Sequence, residues 1–298
     1  MVSRSDICAV VVTFFPQSDT AGNLLALAPQ VGHLLIVDNG SSPDTFEPLE
    51  PVARELGATV LRLGSNFGIA KALNIGLAQA RERGFHWLAT FDQDSRAHGG
   101  MLEAMGRALA DYPEAGRVGL IAPVHIDRRA GVVMSDRYRE ASGASWHVIR
   151  TTMTSGNLVN VAAADQVGGF DESLFIDYVD NEFCLRLRQR GFRILEATHA
   201  QLGHALGNLE MRDLGLVRTG ITHQSALRRY YMTRNRLLVW RQYWQREPAW
   251  VLRDVRRFLS ESAGIVLFEQ DARAKVRMMW RGIRDAARNV RGAFDSSR

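Results

Sequence analysis

Trp87-Leu88-Ala89-Thr90-Phe91-Asp92-Gln93-Asp94-Ser95 is an apolar run that ends on two carboxylates two residues apart. A short apolar run that follows a helical segment and a glycine reads as a buried strand. In an extended backbone, residues i and i+2 point to the same side. The spacing therefore predicts that Asp92 and Asp94 face one target together. Two converging carboxylates repel unless something positive lies between them. A hard divalent cation that also holds phosphate oxygens meets that need, because Mg²⁺ and Mn²⁺ favour a few carboxylates plus substrate oxygens. A solvated turn is the plain alternative for so short a motif.

Outward from this stretch, strand and helix signals alternate. Ile7–Phe14 is a Val-rich strand, and a helix is expected around Thr20–Ala28. Leu34-Leu35-Ile36-Val37 is a second strand, closed by the turn cluster Asp38-Asn39-Gly40-Ser41-Ser42. A helix over Pro48–Leu56, a strand over Thr59–Leu63 and a helix over Ile69–Arg83 lead into the Trp87 strand. Gly100–Asp111 reads as a helix, Val118–Pro123 as a strand, and about Asn181 to Arg190 as another helix. This β-α-β-α order predicts an α/β fold, a mostly parallel sheet covered by helices, with ligands outside the carboxyl ends of the strands. Asp38 and the Asp92–Asp94 pair both fall at such ends. No G-x-G-x-x-G follows the first strand, so this is not the dinucleotide-binding fingerprint, and no P-loop or nucleophile elbow is present. The stretch Asp127–Ser155 is less regular and is expected to hold a β-ribbon over the site.

The chain of 298 residues has room for one large α/β domain with an appendage, or for two domains. Its two cysteines, Cys8 and Cys184, sit in apolar contexts and read as buried thiols, which fits a reducing cytoplasm. The apolar stretch Ile7 to Phe15 is too short for a membrane span, and no signal peptide or transmembrane segment is expected. The net charge of +5 is unevenly placed: from Arg241 onward there are 13 basic residues against 7 acidic ones, and before it 24 against 25. Of the 37 basic residues only Lys71 and Lys275 are lysine.

Several residues carry chemistry. Asp38 has the geometry to accept a bond from a base N–H, or to close an Asx turn. Asn66-Phe67-Gly68-Ile69-Ala70-Lys71 opens a helix with small residues, where backbone amides favour phosphate and Lys71 adds charge; a tightly packed helix has the same signature. Phe175-Ile176-Asp177-Tyr178-Val179-Asp180-Asn181-Glu182 places acids beside an apolar stretch, and one of them can serve as general base on an acceptor hydroxyl. Asp180 can equally cap the helix, and Glu182 with Arg186 is an i,i+4 pair. His199 and His204 flank Ala200–Gly203, and imidazole suits Mn²⁺. In Arg228-Arg229-Tyr230-Tyr231-Met232-Thr233-Arg234-Asn235, Arg228 and Arg234 are candidates for phosphate or acceptor; a solvated helical face is the alternative.

Taken in order, these pieces resemble the family 2 glycosyltransferases with the GT-A fold, and within them the bacterial rhamnosyltransferases that use dTDP-L-rhamnose. The resemblance covers roughly residues 5–240. It is carried by the Val-Val-Val-Thr-Phe-Phe-Pro strand, Ile36-Val37-Asp38-Asn39-Gly40-Ser41, Asn66-Phe67-Gly68 through Gly76, Phe91-Asp92-Gln93-Asp94-Ser95, Thr154-Ser155-Gly156-Asn157, Phe175–Arg190, His204 and Arg228–Asn235. It implies that Thr13 and Asp38 hold the nucleobase, and that Asn66, Gly68 and Lys71 line the nucleotide. Asp92 would contact the ribose or the metal-bound diphosphate, Asp94 would ligate Mg²⁺ or Mn²⁺, and His204 would be a third metal partner. Asp180 would be the general base, with Asp177 as the alternative, since Val179-Asp180 stands where many members carry Glu-Asp. The implied activity is inverting, metal-dependent transfer of L-rhamnose to a hydroxyl of a lipid-linked saccharide in bacterial cell-surface polysaccharide, O-antigen included. Another sugar from a UDP donor (galactofuranose, glucose or N-acetylglucosamine) and a non-catalytic nucleotide-sugar-binding protein are the alternatives. No nucleic-acid partner is expected.

The expected domains are residues 1–240 and a basic helical extension over 241–298. In that extension Val276, Trp280, Ile283, Ala287, Val290 and Phe294 recur at helical steps, with Arg277, Arg281, Arg284, Arg288 and Arg291 one residue later. An arginine stripe beside an apolar stripe is the pattern of a helix lying on an anionic membrane. It also suits packing on the domain or on a second subunit, as in a homodimer. The expected location is the cytoplasm, peripheral at the inner face of its membrane.

Overall fold

In the computed structural model, which describes residues 2–127, 131, 133, 139–204, 209–213, 218–222 and 224–297, strand and helix alternate as the sequence predicts. The first half runs β1 (Ile7–Thr13), α1 (Thr20–Leu27), β2 (His33–Asp38), α2 (Pro43–Phe46), α3 (Glu50–Glu55), β3 (Thr59–Arg62), α4 (Ile69–Glu82), β4 (Trp87–Asp92), β5 (Ser95–Ala97), α5 (Met101–Asp111) and β6 (Val118–Asp127). There follow β7 (Ala141–Ser142), β8 (Trp146–Ile149), β9 (Asn157–Asn160), α6 (Val161–Val167), α7 (Val179–Gln189), β10 (Arg193–His204), β11 (Leu209–Asp213), β12 (Arg218–Thr222), α8 (Ala226–Tyr243), α9 (Pro248–Phe268) and α10 (Ala272–Ala287).

Two compact units divide the chain. The first comprises Met1–Phe175 and Val179–Ala205, and the second Ile176–Tyr178 and Leu206–Arg298. The expected boundary at residue 240 therefore falls inside α8. The physical reason lies in α8 itself, whose aromatic and arginine side chains pack with the helices that follow it.

In the first unit one mixed sheet runs in the order β3-β2-β1-β4-β9-β6-β10-β8-β7, with β5 on β10. The strands β1, β2, β3 and β4 are parallel. All seven residues of β1 are buried, as a central parallel strand covered on both faces requires. Parallel register places the ends of these strands side by side: Thr13 pairs with Asp38, Val12 with Asp92, and Asp38 with Arg62. The expected helix over Pro48–Leu56 is broken into a 3₁₀ turn at Glu47–Leu49 and the short α3, with proline in the first turn of each. The expected strand at Val118 is longer and reaches Asp127. Of the ribbon expected over the site, β7 and β8 pair with each other and extend the sheet edge through β10. Residues 128–130, 132 and 134–138 of that stretch lie outside the described residues.

The second unit holds the antiparallel pair β11–β12 and helices α8, α9 and α10. Helix α8 buries Arg229, Arg234 and Arg236 rather than presenting them to solvent. Arg236 pairs with Asp254 and Glu261, while Arg229 and Lys275 share Glu269. Burial alone would raise the Glu261 carboxyl, but Arg236 and Arg257 outweigh it and hold it below its ordinary value. Removing one partner of such a pair leaves an uncompensated buried charge.

The face that α10 buries corrects the expected stripe. Lys275, Met279, Gly282, Asp285 and Ala286 are buried. Each of the first three, and Ala286, lies one residue before an expected apolar position, about 100° round the helix. Gly282 explains the rotation. A Cβ there would stand 2.8 Å from the Tyr230 carbonyl, so α8 and α10 approach backbone to backbone. Asp285 then accepts the Tyr230 hydroxyl at 2.9 Å. Trp280 is turned outward and is 66% exposed. Among the described residues no helix is long and apolar enough to cross a membrane.

Candidate active site

The strand ends of β2, β1 and β4 form the floor of the site, and a network of side chains ties their loops together. Asp38 is 1% exposed. Its carboxylate accepts the Thr13 hydroxyl at 3.2 Å, the Ser41 amide at 3.2 Å, the Ser41 hydroxyl, and Arg62 Nε at 3.5 Å. The sequence-predicted pair Thr13 and Asp38 is thus brought together, buried and bonded to itself. Gly40 has φ +99°, and a Cβ would meet the Ser65 carbonyl carbon at 2.5 Å, so the turn after β2 closes onto the loop before α4. Asn39 and Asn66 complete that closure. Asn39 Nδ2 donates to Asn66 Oδ1 at 3.1 Å, and the Phe67 and Gly68 amides donate to Asn39 and Asn66 at 3.0 and 2.9 Å.

Gly68 is a requirement of packing. Its φ is +87°, and a Cβ would stand 2.4 Å from the Phe175 carbonyl oxygen. That same carbonyl accepts the first amide of α4, Ile69 N–H, at 2.8 Å. This helix amide, expected to be open to phosphate, is therefore engaged within the protein. Lys71 pairs with Glu172 at 3.3 Å, both side chains nearly half exposed. Asn74 Nδ2 donates to the same carboxylate at 2.9 Å.

Strand β4 stops at Asp92, and Gln93-Asp94 form a turn into β5. The extended spacing expected for Asp92 and Asp94 is thus replaced by a turn, and it is the turn that sets where Asp94 projects. Gln93 pins it. Its amide accepts from the Phe14 amide at 2.8 Å and donates to the Phe14 carbonyl at 3.1 Å, mimicking a strand partner. Asn23 Nδ2 donates to the Gln93 carbonyl at 2.9 Å. Behind the turn, Ser155 Oγ accepts the Asp92 amide at 3.0 Å and bonds Ser95 Oγ at 2.8 Å, and His125 bonds the Ser155 carbonyl at 2.8 Å. The backbone of His204 is in register with Ser95 on one side and Asp127 on the other. The described part of His204 is its backbone.

The donor set suits a hard cation held jointly with a ligand. Among the described residues no three His, Cys, Asp or Glu side chains gather. Two carboxylates at one turn supply a partial oxygen shell, which is what Mg²⁺ uses when substrate phosphates supply the rest.

Asp180 stands in the first turn of α7, its Oδ1 accepting the Asn181 amide at 2.7 Å and Asn181 Nδ2 at 3.0 Å. Glu182 is removed from the acid–base candidates by Arg186, which donates to it at 2.7, 3.0 and 3.2 Å. In the second unit, Asp177 accepts Arg228 Nε and a terminal nitrogen at 3.3 and 3.2 Å. Burial pushes the Asp177 carboxyl up, and Arg228 opposes the shift. Arg234 corrects the phosphate expectation. It is fully buried beside the Tyr230 and Tyr231 rings and donates to the Gly292 carbonyl at 2.7 Å. Its position anchors the chain end to α8.

Three groups lie inside the motifs but were given no role by the sequence reading. Gln93 and Ser155 are two, and their side-chain bonds to Phe14 and Asp92 come from residues distant in sequence. Phe14, Phe15 and Phe67 are 43%, 47% and 52% exposed around the strand ends. Aromatic residues directly after a buried strand, in Thr13-Phe14-Phe15-Pro16, were the available signal.

A family model, Glycosyl transferase family 2, matches residues 10–157. The chain is 30% identical over 250 residues to the dTDP-rhamnosyl transferase RfbF of Shigella flexneri, covering 80% of this chain and 81% of that one. Solved structures share the fold at low identity. A mannosyltransferase of Pyrobaculum calidifontis with GDP-Man and Mn²⁺ matches at TM-score 0.55 and 13% identity, over 95% of this chain and 86% of that one. S. aureus TarS 1-349 with UDP-GlcNAc matches at 0.58 and 14%, over 94% and 81%. GalNAc-T7 with UDP, GalNAc and Mn²⁺ matches at 0.60 and 12%, over 82% of this chain and only 49% of that one. The mixed sheet, the carboxylate turn at the end of β4 and the identity to RfbF together establish that this chain belongs to glycosyltransferase family 2, with the GT-A fold.

Proposed function

We propose that this enzyme transfers L-rhamnose from dTDP-L-rhamnose to a hydroxyl of a saccharide acceptor, with inversion at the anomeric carbon. The observation that carries the donor assignment is the 30% identity to a dTDP-rhamnosyl transferase across most of both chains. Thr13 and Asp38, at paired strand ends, line the base end of the site, with the exposed rings of Phe14, Phe15 and Phe67 beside it. Asn66 and Gly68 shape the nucleotide wall, and Lys71 adds charge at its edge. Asp92 takes the ribose side, and Asp94 with Asp92 holds a divalent cation, with His204 as a further partner. Bound there, Mg²⁺ or Mn²⁺ would neutralise charge on the departing diphosphate. Asp180 takes the acceptor proton as its oxygen attacks the face opposite the leaving group. A β-linked donor then yields an α-L-rhamnoside. Arg228 and Asp177, an ion pair of the second unit, are acceptor candidates.

A donor panel tests the reading. Turnover is expected with dTDP-L-rhamnose and at most about 1% of that rate with UDP-galactofuranose, UDP-glucose or UDP-N-acetylglucosamine. A UDP-sugar preferred by an order of magnitude would replace the rhamnosyl assignment and leave the family membership intact.

The acceptor is assigned to a lipid-linked saccharide at the cytoplasmic face of a membrane, and the outward face of α10 supports that. Arg273, Arg277, Arg284 and Arg288 are exposed at helical steps around exposed Trp280. Among the described residues no ion pair engages Arg273, Arg277 or Arg288. Val266 and Leu267, 61% and 68% exposed, close α9 just before this face. A cationic face with an amphipathic ring suits an anionic lipid surface, where each arginine contributes about 1 kcal/mol. Point variants are the right probe, because deleting the tail would strip α8 of the partners of its buried arginines. An Arg277→Glu/Arg284→Glu protein is expected to lose at least about tenfold in affinity for phosphatidylglycerol-containing vesicles in co-sedimentation. Equal binding by variant and parent excludes a lipid role for this face, and loss of a dimer in light scattering assigns it to a second copy.

A further inference from the structure

The ladder between β1 and β4 ends at Val12 and Asp92. Beyond it the two backbones part: β1 runs on through Thr13 into Phe14-Phe15, whereas β4 turns at Gln93. The Gln93 side chain carries the pairing on. Its Oε1 accepts the Phe14 amide at 2.8 Å, and its Nε2 donates to the Phe14 and Phe15 carbonyls at 3.1 and 3.5 Å. A carboxamide suits this place, because it offers an acceptor and donors on one planar group, as a peptide does. The side chain makes the last rungs, so the Gln93-Asp94 backbone can turn away from the sheet.

The segment that Gln93 holds is strained. Phe15 has φ +50°, although it precedes Pro16 and a residue before proline is ordinarily extended. Such a conformation persists only where surrounding contacts over-determine it. Gln93 supplies them on one flank. On the other, Ser41 Oγ accepts the Phe15 amide at 2.8 Å and donates to Asp38. A continuous line of bonds therefore runs from Asp38 through Ser41, Phe15, Phe14 and Gln93 to the carboxylate turn, all within the first unit.

We infer that Gln93 is a positioning residue, which fixes the carboxylate turn against Phe14-Phe15 and so sets the base end and the cation end of the site as one piece. It acts through the placement of Asp94 and is not itself a ligand. The inference rests on the reading of Asp94 as a cation ligand. Ser155 and Asn23 hold the Asp92 amide and the Gln93 carbonyl independently, at 3.0 and 2.9 Å. Loss of the Gln93 side chain is therefore expected to loosen the turn without unfolding the sheet.

The readout is Mn²⁺ affinity at saturating dTDP, from electron paramagnetic resonance of free Mn²⁺. Gln93→Met keeps the length of the side chain and loses its bonds, and is expected to weaken Mn²⁺ binding about fivefold. Parental affinity overturns the inference. Ser41→Ala releases the far end of the same segment. It is expected to weaken Mn²⁺ binding about threefold in the parent and to add nothing in Gln93→Met. Equal losses in both backgrounds overturn the inference, because independent loosening adds. Gln93→Glu separates positioning from charge: it brings a carboxylate to the turn but cannot donate to the two carbonyls. Weaker Mn²⁺ binding than the parent upholds the inference, and equal or tighter binding overturns it; this variant also decides if Gln93→Met does not fold. Asp94→Asn measured alongside keeps the two readings apart. Parental Mn²⁺ affinity in Asp94→Asn removes the ligand assignment and the inference with it, whereas a loss there beside an unaffected Gln93→Met removes only the positioning role.

Discussion

Asp180→Asn is expected to lower rhamnosyl transfer by about 10²–10⁴-fold while dTDP affinity stays within twofold of the parent. The substitution is nearly isosteric. The side-chain oxygen that accepts the Asn181 amide is retained, so the first turn of α7 keeps its bond. On the proposed reading, what is lost is the ability to take a proton from the acceptor hydroxyl. Glu182 cannot substitute, because Arg186 holds it at 2.7 Å and it is buried. Asp177 is the remaining carboxylate nearby in sequence, and it is bonded to Arg228. Transfer assays and calorimetric nucleotide titration on the same preparation check the point. Full transfer by the variant would move the base to Asp177, where the matching substitution should then abolish activity.

Asp94→Asn is expected to weaken Mn²⁺ binding in the presence of dTDP at least about tenfold and to cut transfer by about 10² or more. An amide keeps the volume of the carboxylate and the turn after β4, but removes the charge that a hard cation needs. Gln93 and Asn23 secure that turn independently of Asp94, through bonds of 2.8, 3.1 and 2.9 Å, so the backbone is expected to hold. Electron paramagnetic resonance of free Mn²⁺ gives the binding term directly, apart from catalysis. Unchanged Mn²⁺ affinity would reassign the cation to other donors, and unchanged turnover as well would remove it from the reaction.

Much of the catalytic unit was legible in the sequence because its signals are local. A Val-rich run such as Cys8–Val12 can satisfy its backbone only inside a sheet, and alternation with amphipathic segments makes that sheet largely parallel. Asp38 and Asp92 close such strands, so topology alone puts both at the carboxyl edge of the sheet. Other features depended on contacts distant in sequence. That Asp94 lies in a turn held by Gln93 requires Phe14, 79 residues away. That Gly68 must lack a side chain requires Phe175.

The C-terminal helices show the limit most clearly. The sequence determined a two-sided helix from Val276, because periodicity is a property of the helix alone; the helix forms as Ala272–Ala287 and stops short of the expected Val290 and Phe294. Which side turned inward was decided only by the tertiary structure. Hydrophobicity favoured Val276, Trp280 and Ile283, yet the closest approach of α8 was available at Gly282, and Lys275 and Asp285 found Glu269 and Tyr230 waiting. Close backbone packing with satisfied charges outweighed the exposure of one tryptophan. The same contest buried Arg234, which the sequence left between phosphate and solvent, together with Arg229 and Arg236 on α8. Chain-local chemistry set the elements and their ends, and partners brought together by folding chose the faces.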